Sequence, residues 1–289
     1  MKFVSLFLVI FLSVSVFASE DQTQAEFEPG YSCDQANLKG VRFNYCLRKT
    51  NRQNTKDIVY YFHGSGGDAD QWYRYYFMTM AMQRRWSYQG YDPMMISISF
   101  GPDWALIDND RFKLLSYFKY VAVPFLENKV GGLQNGKRKL IGLSMGGYNA
   151  IQVGLREPRM FTRIALLCPA ISTVGPYDSN REVSAYIRRT GACPSLVRRM
   201  IRISRQIFTD DRDWEDHDPL RMIKNYKSPH KPKFYISIGW RDSFGFYEGA
   251  QRFQKTSALQ KIFSLQWVPV PGPHCMFDRN SAADFIMED

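Results

Sequence analysis

The sequence predicts an α/β fold in which a mostly parallel central sheet is flanked by helices. Strand-like apolar segments alternate with helical segments along the chain, and this alternation is typical of parallel sheets built from strand–helix–strand units. The central strand segments, such as 94–100 and 163–168, are continuous apolar runs. Parallel strands that are buried on both faces have this pattern. A length of 289 residues fits one large domain of this class.

The individual elements follow from these patterns and from the turn residues between them. The predicted strands are 41–49, 57–62, 94–100, 139–143, 163–168, 234–239 and 265–270. The predicted helices are 70–89, 111–128 with a kink at Pro124, 147–156, 251–259 and a closing helix from Ser281. Residues 19–39 are polar and contain Gly and Pro, which indicates a leader of the mature chain.

One long segment interrupts the alternation. Residues 171–232 separate two predicted strands by far more than the usual short connection, so we expect a helical cap inserted into a single domain of residues 19–289. Residues 188–205 of the insert contain six arginines and are followed by the acidic run 209–216; the arginines are Arg188, Arg189, Arg198, Arg199, Arg202 and Arg205. We interpret these charges as a solvated, self-paired face rather than a binding patch.

The amino terminus has the layout of a secretory signal peptide. Lys2 precedes an apolar run from Phe3 to Phe17, and small residues precede a cleavage site near Ala18. The run is shorter than the ~20 apolar residues of a spanning helix, so residues 1–18 predict a cleaved signal rather than a stable membrane anchor. The mature chain is then expected in the periplasm or outside the cell. An uncleaved anchor is the alternative.

Charge and cysteine content limit the possible partners. The net charge of +10 would suit an anionic surface, but the basic residues are spread along the chain and no nucleic-acid recognition motif accompanies them. An exported chain can oxidise its five cysteines. Cys33 with Cys46 is the easiest pair to imagine, Cys168 with Cys193 is a second possibility, and the odd count leaves at least one thiol. The absence of a C-x-x-C motif argues against a zinc ribbon.

The motif GLSMGG at 142–147 indicates a nucleophile elbow. G-x-S-x-G alone is a weak signal, but here an apolar strand precedes it and a helix follows, which is the setting that the elbow requires. The sharp turn crowds the positions on either side of the nucleophile, so that only very small residues fit. Ser144 is therefore the predicted nucleophile.

A serine nucleophile needs a base and a carboxylate that orients the base. In this architecture the base comes last in the chain, and His274, after the last strand, is selected over His63, His217 and His230 almost by elimination. Asp242 follows the strand 234–239 and is the favoured carboxylate. Asp178, after an earlier strand, is the alternative.

Two backbone N–H groups are expected to stabilise the oxyanion. One belongs to Met145, the residue after the nucleophile, and the other to the loop after an early strand. The loop HGSGG at 63–67 fits, because glycines allow close approach to a substrate; Ser65 is the favoured donor and Gly66 the next. The aromatic residues that follow could line an acyl or aryl pocket, although most are expected in the core; they are Trp72, Tyr73, Tyr75, Tyr76 and Phe77.

The order of the motifs HGSGG, GLSMGG, GWRD and GPH resembles the α/β-hydrolase superfamily. Within it, the chain is similar to the exported branch of esterase-D-like, feruloyl-esterase-like and polyhydroxyalkanoate-depolymerase-like enzymes over roughly residues 57–277. The resemblance implies Ser144, Asp242 and His274 as the catalytic triad, Ser65 and Met145 as oxyanion donors, and hydrolysis of carboxylic esters without a cofactor or metal.

The expected substrate is a small-molecule or polysaccharide-linked ester, cleaved through an acyl-enzyme. The same residues would also serve an acyltransferase or a serine peptidase, and the sequence does not separate these activities. A non-catalytic binding protein of the same fold is a further alternative from a different class.

Overall fold

The computed structural model describes residues 31–50, 56–75 and 77–288. The predicted signal peptide at 1–18 and the aromatic residue Tyr76 lie outside these ranges. Within them, none of the helices has the length and apolar character needed to cross a membrane.

The centre of the molecule is an eight-stranded sheet in the order β1-β2-β4-β3-β5-β6-β7-β8. Its strands are β1 Tyr31–Leu38, β2 Val41–Arg48, β3 Ile58–Phe62, β4 Met94–Ser99, β5 Arg138–Leu143, β6 Arg163–Leu167, β7 Lys233–Gly239 and β8 Leu265–Val270. The pairs β1–β2 and β2–β4 are antiparallel, and all other pairs are parallel. The predicted mostly parallel sheet is confirmed.

Helices flank this sheet. They are α1 Gln71–Arg74, α2 Thr79–Tyr88, α3 Leu114–Tyr117, α4 Val123–Lys129, α5 Met145–Arg156, α6 Asn180–Thr190, α7 Pro194–Ile207, α8 Asp211–His217, α9 Pro219–Lys224, α10 Phe246–Leu259 and α11 Arg279–Met287. Strands β3, β4 and β6 are buried along their whole length, which explains why they are continuous apolar runs in the sequence. One apolar core runs along the sheet and includes the stacked indoles of Trp72 and Trp86.

The interpretation of residues 19–39 as a leader is wrong for its last part, because Tyr31–Leu38 is strand β1. The strand is polar since it lies at the edge of the sheet, with most of its side chains in solvent. Its partner is β2, and Cys33 faces Cys46 across the two strands. These two cysteines form a disulfide, as the sequence suggested.

Two predicted helices are each divided into shorter pieces. The segment predicted as one helix at 70–89 forms α1 and α2, with a break at Tyr75. The segment 111–128 begins as α3, passes through a π-helical turn at Phe118–Ala122 and ends as α4. The chain stays helical through all three pieces, and Pro124 is the second residue of α4, directly after the π-helical turn.

Residues 171–232 contain the four helices α6 to α9. The start of α6 is capped by Ser179 and Glu182, which bond each other's backbone N–H groups, and Gly191 ends the helix in the left-handed conformation. A small core of Tyr186, Val197 and Ile201 holds α6 against α7.

The charges of this insert are paired partly within it and partly outside it. Arg221 pairs with Glu215 inside the insert, whereas Arg189 pairs with Glu248 of α10. The exposed residues Arg198 and Arg202 lie four positions apart on one side of α7.

Candidate active site

The turn between β5 and α5 holds Ser144 in a sterically unfavourable conformation, with φ +53° and ψ −111°. Such conformations cost about 1–3 kcal/mol in a non-glycine residue and persist only where the surroundings enforce them. The Ser144 N–H donates to the carbonyl of Leu167 at 2.9 Å, which ties the turn to β6. A Cβ on Gly142 would lie 2.2 Å from the Gly146 carbonyl oxygen, and one on Gly146 would lie 2.0 Å from the Phe62 carbonyl oxygen. Gly142 is therefore required by the turn itself, and Gly146 by the close approach of the end of β3.

The loop after β8 brings His274 over this turn. Its Nε2 lies 2.9 Å from Ser144 Oγ, and its Nδ1 lies 2.6 Å from Asp242 Oδ2. An ionised carboxylate can only accept, so Nδ1 carries the proton that it donates to Asp242. Nε2 is then free to accept the proton of the Ser144 hydroxyl.

Asp242 lies in the loop after β7 and is buried. Its second oxygen, Oδ1, accepts the backbone N–H groups of Phe244 at 2.9 Å and Phe246 at 3.2 Å. These two bonds fix the plane of the carboxylate, so that Oδ2 faces the imidazole. The alternative carboxylate, Asp178, instead accepts the N–H of Gly175 at 3.0 Å, and burial raises the pKa of its carboxyl.

Two aromatic rings enclose the imidazole. The ring centroids of Phe244 and Phe246 lie 4.7 and 5.6 Å from that of His274. The rings restrict water around the Asp242–His274 pair, and the exclusion of water strengthens electrostatic interactions inside a site.

The loop after β3 lies beside Ser144, since a Cβ on Gly64 would be 3.5 Å from the Ser144 Cβ. Within this loop the N–H of Gly66 donates to Pro102 and that of Gly67 donates to Gly64. In the part of the chain that the structure describes, the N–H groups of Ser65 and Met145 have no acceptor. Both residues line the cavity that contains Ser144, so their N–H groups are available to a substrate oxygen.

Gln71 anchors this loop, a role that no motif in the sequence indicated. The Gln71 Oε1 accepts the Gly64 N–H at 2.9 Å and the Tyr61 hydroxyl at 2.8 Å. Gly67 packs directly on the Gln71 amide, where a Cβ would lie 2.4 Å from Nε2. The sequence contains no signal for this role, because a glutamine four residues after a glycine-rich loop matches no local pattern.

In the sequence, His63 was weighed only as an alternative to His274 as the base. In the structure it is bonded to the oxyanion loop and to Trp104. It is fully buried, with Nδ1 2.7 Å from the Gly64 carbonyl, and its Nε2 accepts the indole N–H of Trp104 at 2.8 Å. Burial lowers the pKa of His63, so the ring is neutral and donates from Nδ1 to Gly64. His63 and Gln71 thus hold the same residue of the loop from two sides.

The two remaining histidines contact other partners. His217 in α8 contacts Asp213, and His230 accepts a hydrogen bond from Arg159. Of the aromatic residues, Trp72 is core and Phe77 is largely exposed, whereas Tyr75 borders the cavity.

The cysteine next to the histidine is paired. Cys275 forms a disulfide with Cys168 and Cys193 is free and exposed, so the suggested pair Cys168–Cys193 is wrong. Cys168, His274 and Cys275 are the one group of possible metal ligands that lies close together in the described residues. A disulfide lacks the thiolate charge with which cysteine binds a metal, so these residues do not fit a metal site in this form.

Ser144 opens into a cavity of about 340 Å³. Its polar lining includes Ser65, Ser144 and His274, and residues 171–232 contribute apolar side chains together with Ser172, Arg199 and Ser204. The exposed guanidinium of Arg199 lies at the edge of the cavity, near Gly66. The volume falls within the range of small-molecule sites.

Comparison with known proteins shows the family and the fold of the chain. Residues 108–284, more than half of the chain, match the model of the Esterase family. No curated protein matches the chain.

Solved structures with the same fold include several esterases. A ferulic acid esterase has a TM-score of 0.64 at 16% identity, over 84% of this chain and 90% of that one. The substrate-bound fluorophosphonate-binding serine hydrolase F of Staphylococcus aureus has a TM-score of 0.58 at 16% identity, over 90% and 98%. Carboxyl esterase 2 of Tuber melanosporum has a TM-score of 0.57 at 17% identity, over 86% and 78%.

Proposed function

The chain belongs to the Esterase family of α/β-hydrolases and is a carboxylic ester hydrolase, and we propose that it acts through an acyl-enzyme on Ser144, with His274 as base and Asp242 as orienting carboxylate. The observation that carries this proposal is the continuous chain of hydrogen bonds from Ser144 Oγ through the imidazole to Asp242, at 2.9 and 2.6 Å. Nucleophile, base and orienting group within hydrogen-bond reach define the chemistry of an activated serine.

Acylation begins when Ser144 Oγ attacks the ester carbonyl carbon and His274 Nε2 takes the hydroxyl proton. The imidazolium that forms carries a positive charge next to Asp242, whose carboxylate stabilises it without taking the proton. His274 then returns its proton to the leaving alcohol, and the C–O bond of the ester breaks. A water molecule repeats the sequence on the acyl-enzyme, so that free acid is released and Ser144 is regenerated.

The N–H groups of Ser65 and Met145 are assigned the role of donating hydrogen bonds to the negatively charged oxygen of the tetrahedral intermediate. Both lack an acceptor among the described residues and both border the cavity, so no internal bond must break before they bind the oxyanion. Met145 also starts α5, and the amino terminus of a helix favours negative charge. Preorganised donors of this kind contribute about 10²–10³ in rate each.

Export remains part of the proposal. It is supported by the signal-like residues 1–18 and by the two disulfides, which persist in oxidising compartments. In the native host, amino-terminal sequencing of the periplasmic and secreted fractions should find a chain that begins near Ser19. Protein that stays in the cytoplasm with Met1 in place would contradict export.

Ester turnover by the mature chain tests the mechanism. The wild type should hydrolyse p-nitrophenyl butyrate, and Ser144→Ala should lose about 10⁶-fold in kcat, the size of loss seen when a triad nucleophile is removed. A fluorophosphonate should label the wild type on Ser144 and leave Ser144→Ala unlabelled. The matched control is Ser195→Ala, an exposed serine of α7 outside the cavity, which should keep both turnover and labelling.

Three results would change the mechanism. Full turnover by Ser144→Ala would show that Ser144 is not the nucleophile. Transfer of the acyl group to an added alcohol in preference to water would make the chain an acyltransferase. Failure of both turnover and labelling in the wild type would favour a binding protein.

A further inference from the structure

One wall of the cavity is built by helix α7 of the 171–232 insert. Met200, Ile203 and Ile207 all border the cavity and recur at intervals of three and four residues. This spacing places them on one face of the helix. The opposite side of α7 carries the exposed Arg198 and Arg202. The helix therefore turns a mainly aliphatic face to the cavity, bordered by Arg199 and Ser204, and a basic face to solvent.

The cavity continues from α7 to a group of aromatic side chains. Phe208 and Trp214 lie with ring centroids 5.0 Å apart, and Phe208 and Tyr148 with centroids 6.4 Å apart. The Tyr148 hydroxyl donates to the carbonyl of His217 at 3.1 Å, so its polar atom is already satisfied by the protein. These residues offer a ligand mainly apolar ring surface, with the indole N–H of Trp214 as a further polar group.

The position of this apolar region relative to the reacting atoms identifies the part of the substrate that it faces. His274 must reach the leaving oxygen, so the alcohol departs on the side of the imidazole, where Phe244 and Phe246 pack. Tyr148 is one helical turn after Met145, the proposed oxyanion donor, in α5. With the alcohol assigned to the side of Phe244 and Phe246, the apolar region is the space that remains for the acyl group.

The volume limits the size of that group. An engineered apolar cavity of roughly 150 Å³ accepts benzene, and the cavity at Ser144 is about 340 Å³. The cavity at Ser144 is therefore more than twice as large as a benzene site, and it can hold an acyl group much larger than formyl or acetyl.

We propose that this site selects esters with an apolar acyl group of about six to ten carbon atoms, and that the aliphatic face of α7 is the selecting surface. The proposal rests on the proposed ester hydrolysis at Ser144. Burial of one more methylene group of the acyl chain should raise kcat/KM about fourfold, provided that the group is also buried in the transition state.

A series of p-nitrophenyl esters tests the acyl preference. Acetate, butyrate, hexanoate, octanoate, decanoate and dodecanoate share one leaving group and differ only in the acyl chain. We expect kcat/KM to rise from acetate, to peak between hexanoate and decanoate at ten or more times the acetate value, and to fall at dodecanoate, which exceeds the cavity. A maximum at acetate with a steady decline would overturn the proposal while leaving ester hydrolysis intact. No turnover of any member would count against the proposed function itself.

A substitution on α7 tests the selecting surface. Ile203→Trp should fill part of the cavity and lower the ratio of octanoate to acetate kcat/KM at least tenfold. The reason is that the indole would occupy the space in which several methylene groups of the octanoyl chain are buried. Arg202→Trp is the matched control: it adds the same side chain at the neighbouring position, on the solvent side of the helix, and should leave the ratio unchanged.

Should Ile203→Trp fail to fold, Ile207→Trp repeats the test one turn further along the same face. An unchanged ratio in a folded variant of either position would exclude α7 as the selecting surface. An equal fall of the ratio in Arg202→Trp would mean that the effect comes from the helix as a whole and would also reject the assignment.

Discussion

A disulfide joins Cys168, the residue that follows β6, to Cys275, the residue that follows His274. It links the loop that carries the proposed base directly to the central sheet. Few backbone bonds hold that loop: the Arg241 N–H donates to the Gly272 carbonyl, and the Met276 N–H bonds within the loop to Pro273. Both cysteines have positive φ, 43° for Cys168 and 61° for Cys275, a conformation that non-glycine residues adopt only under constraint.

Removal of this disulfide should lower both activity and stability. The Cys168→Ser/Cys275→Ser variant loses a cross-link between residues that are 107 positions apart in the chain. The chain-entropy model gives a loss of about 4.7 kcal/mol in the free energy of unfolding for a loop of this size. The kcat should fall about tenfold or more, since a misplaced base lowers the rate of proton transfer. Both quantities can be measured by thermal unfolding and by ester turnover well below the melting temperature.

The Cys33–Cys46 disulfide provides the matched control. It spans 13 residues between β1 and β2, so Cys33→Ser/Cys46→Ser should lose about 3 kcal/mol and keep its kcat. Equal kcat values for the two double variants would show that the disulfide next to His274 has no positioning role.

The carboxylate partner of His274 can be tested by comparing two aspartates. Asp242→Asn should reduce kcat by about 10⁴, because an amide cannot hold the imidazole in the required tautomer or stabilise the imidazolium. Asp178→Asn should stay within about twofold of the wild type, since its carboxylate bonds Gly175 and not the imidazole. The opposite pattern of kcat values would assign the role to Asp178.

The anchoring of the oxyanion loop leads to a prediction for Gln71. Gln71→Leu keeps the volume of the side chain but removes the acceptor for the Gly64 N–H. We expect kcat to fall about 10- to 100-fold with a smaller change in KM, because a shift of the loop by a fraction of an ångström misplaces the Ser65 donor.

Gln83→Leu is the control for this substitution. Gln83 is also a buried glutamine, and it accepts the indole N–H of Trp72 at a distance from the cavity. A comparable loss of kcat in Gln83→Leu would mean that general destabilisation explains the effect of Gln71→Leu.

Asp218 should make stability depend on pH. Burial raises the pKa of its carboxyl from the ordinary 3.8 to about 6 in the folded chain. Below pH ~3.8 the group is protonated in both states and has no effect. Between pH ~4 and ~6 the unfolded chain releases the proton while the folded chain retains it, so this group lowers stability as pH rises, by at most about 3 kcal/mol.

Asp218→Asn should remove that dependence and keep the cap of α9, where Asp218 accepts the Leu220 N–H. The Tm difference, variant minus wild type, should become more positive from pH 4 to pH 6 and stay constant above it. Asp216→Asn, at an exposed position of α8, should show no such trend. A difference for Asp218→Asn that is flat with pH would contradict the raised pKa.

Local patterns in the sequence determined most of the fold and the candidates for the site. The apolar runs of β3, β5, β6 and β7 follow from burial on both faces, and the glycines at 142 and 146 follow from steric crowding at a tight turn. Each of these effects leaves a pattern within a short stretch of the chain, even where the contact behind it joins distant residues, as Gly146 and the Phe62 carbonyl show. Strand β1 was missed because it is an exposed edge strand and therefore has no apolar pattern in the sequence.

Only the tertiary structure decided which distant groups meet. Asp242 contacts His274 because parallel β7 and β8 end at the same edge of the sheet, and Cys168 pairs with Cys275 rather than Cys193 because β6 ends near that loop. The role of Gln71 and the aliphatic wall of α7 likewise depend on how separate segments pack. Such contacts result from the register and packing of the whole chain, which no short stretch of sequence encodes.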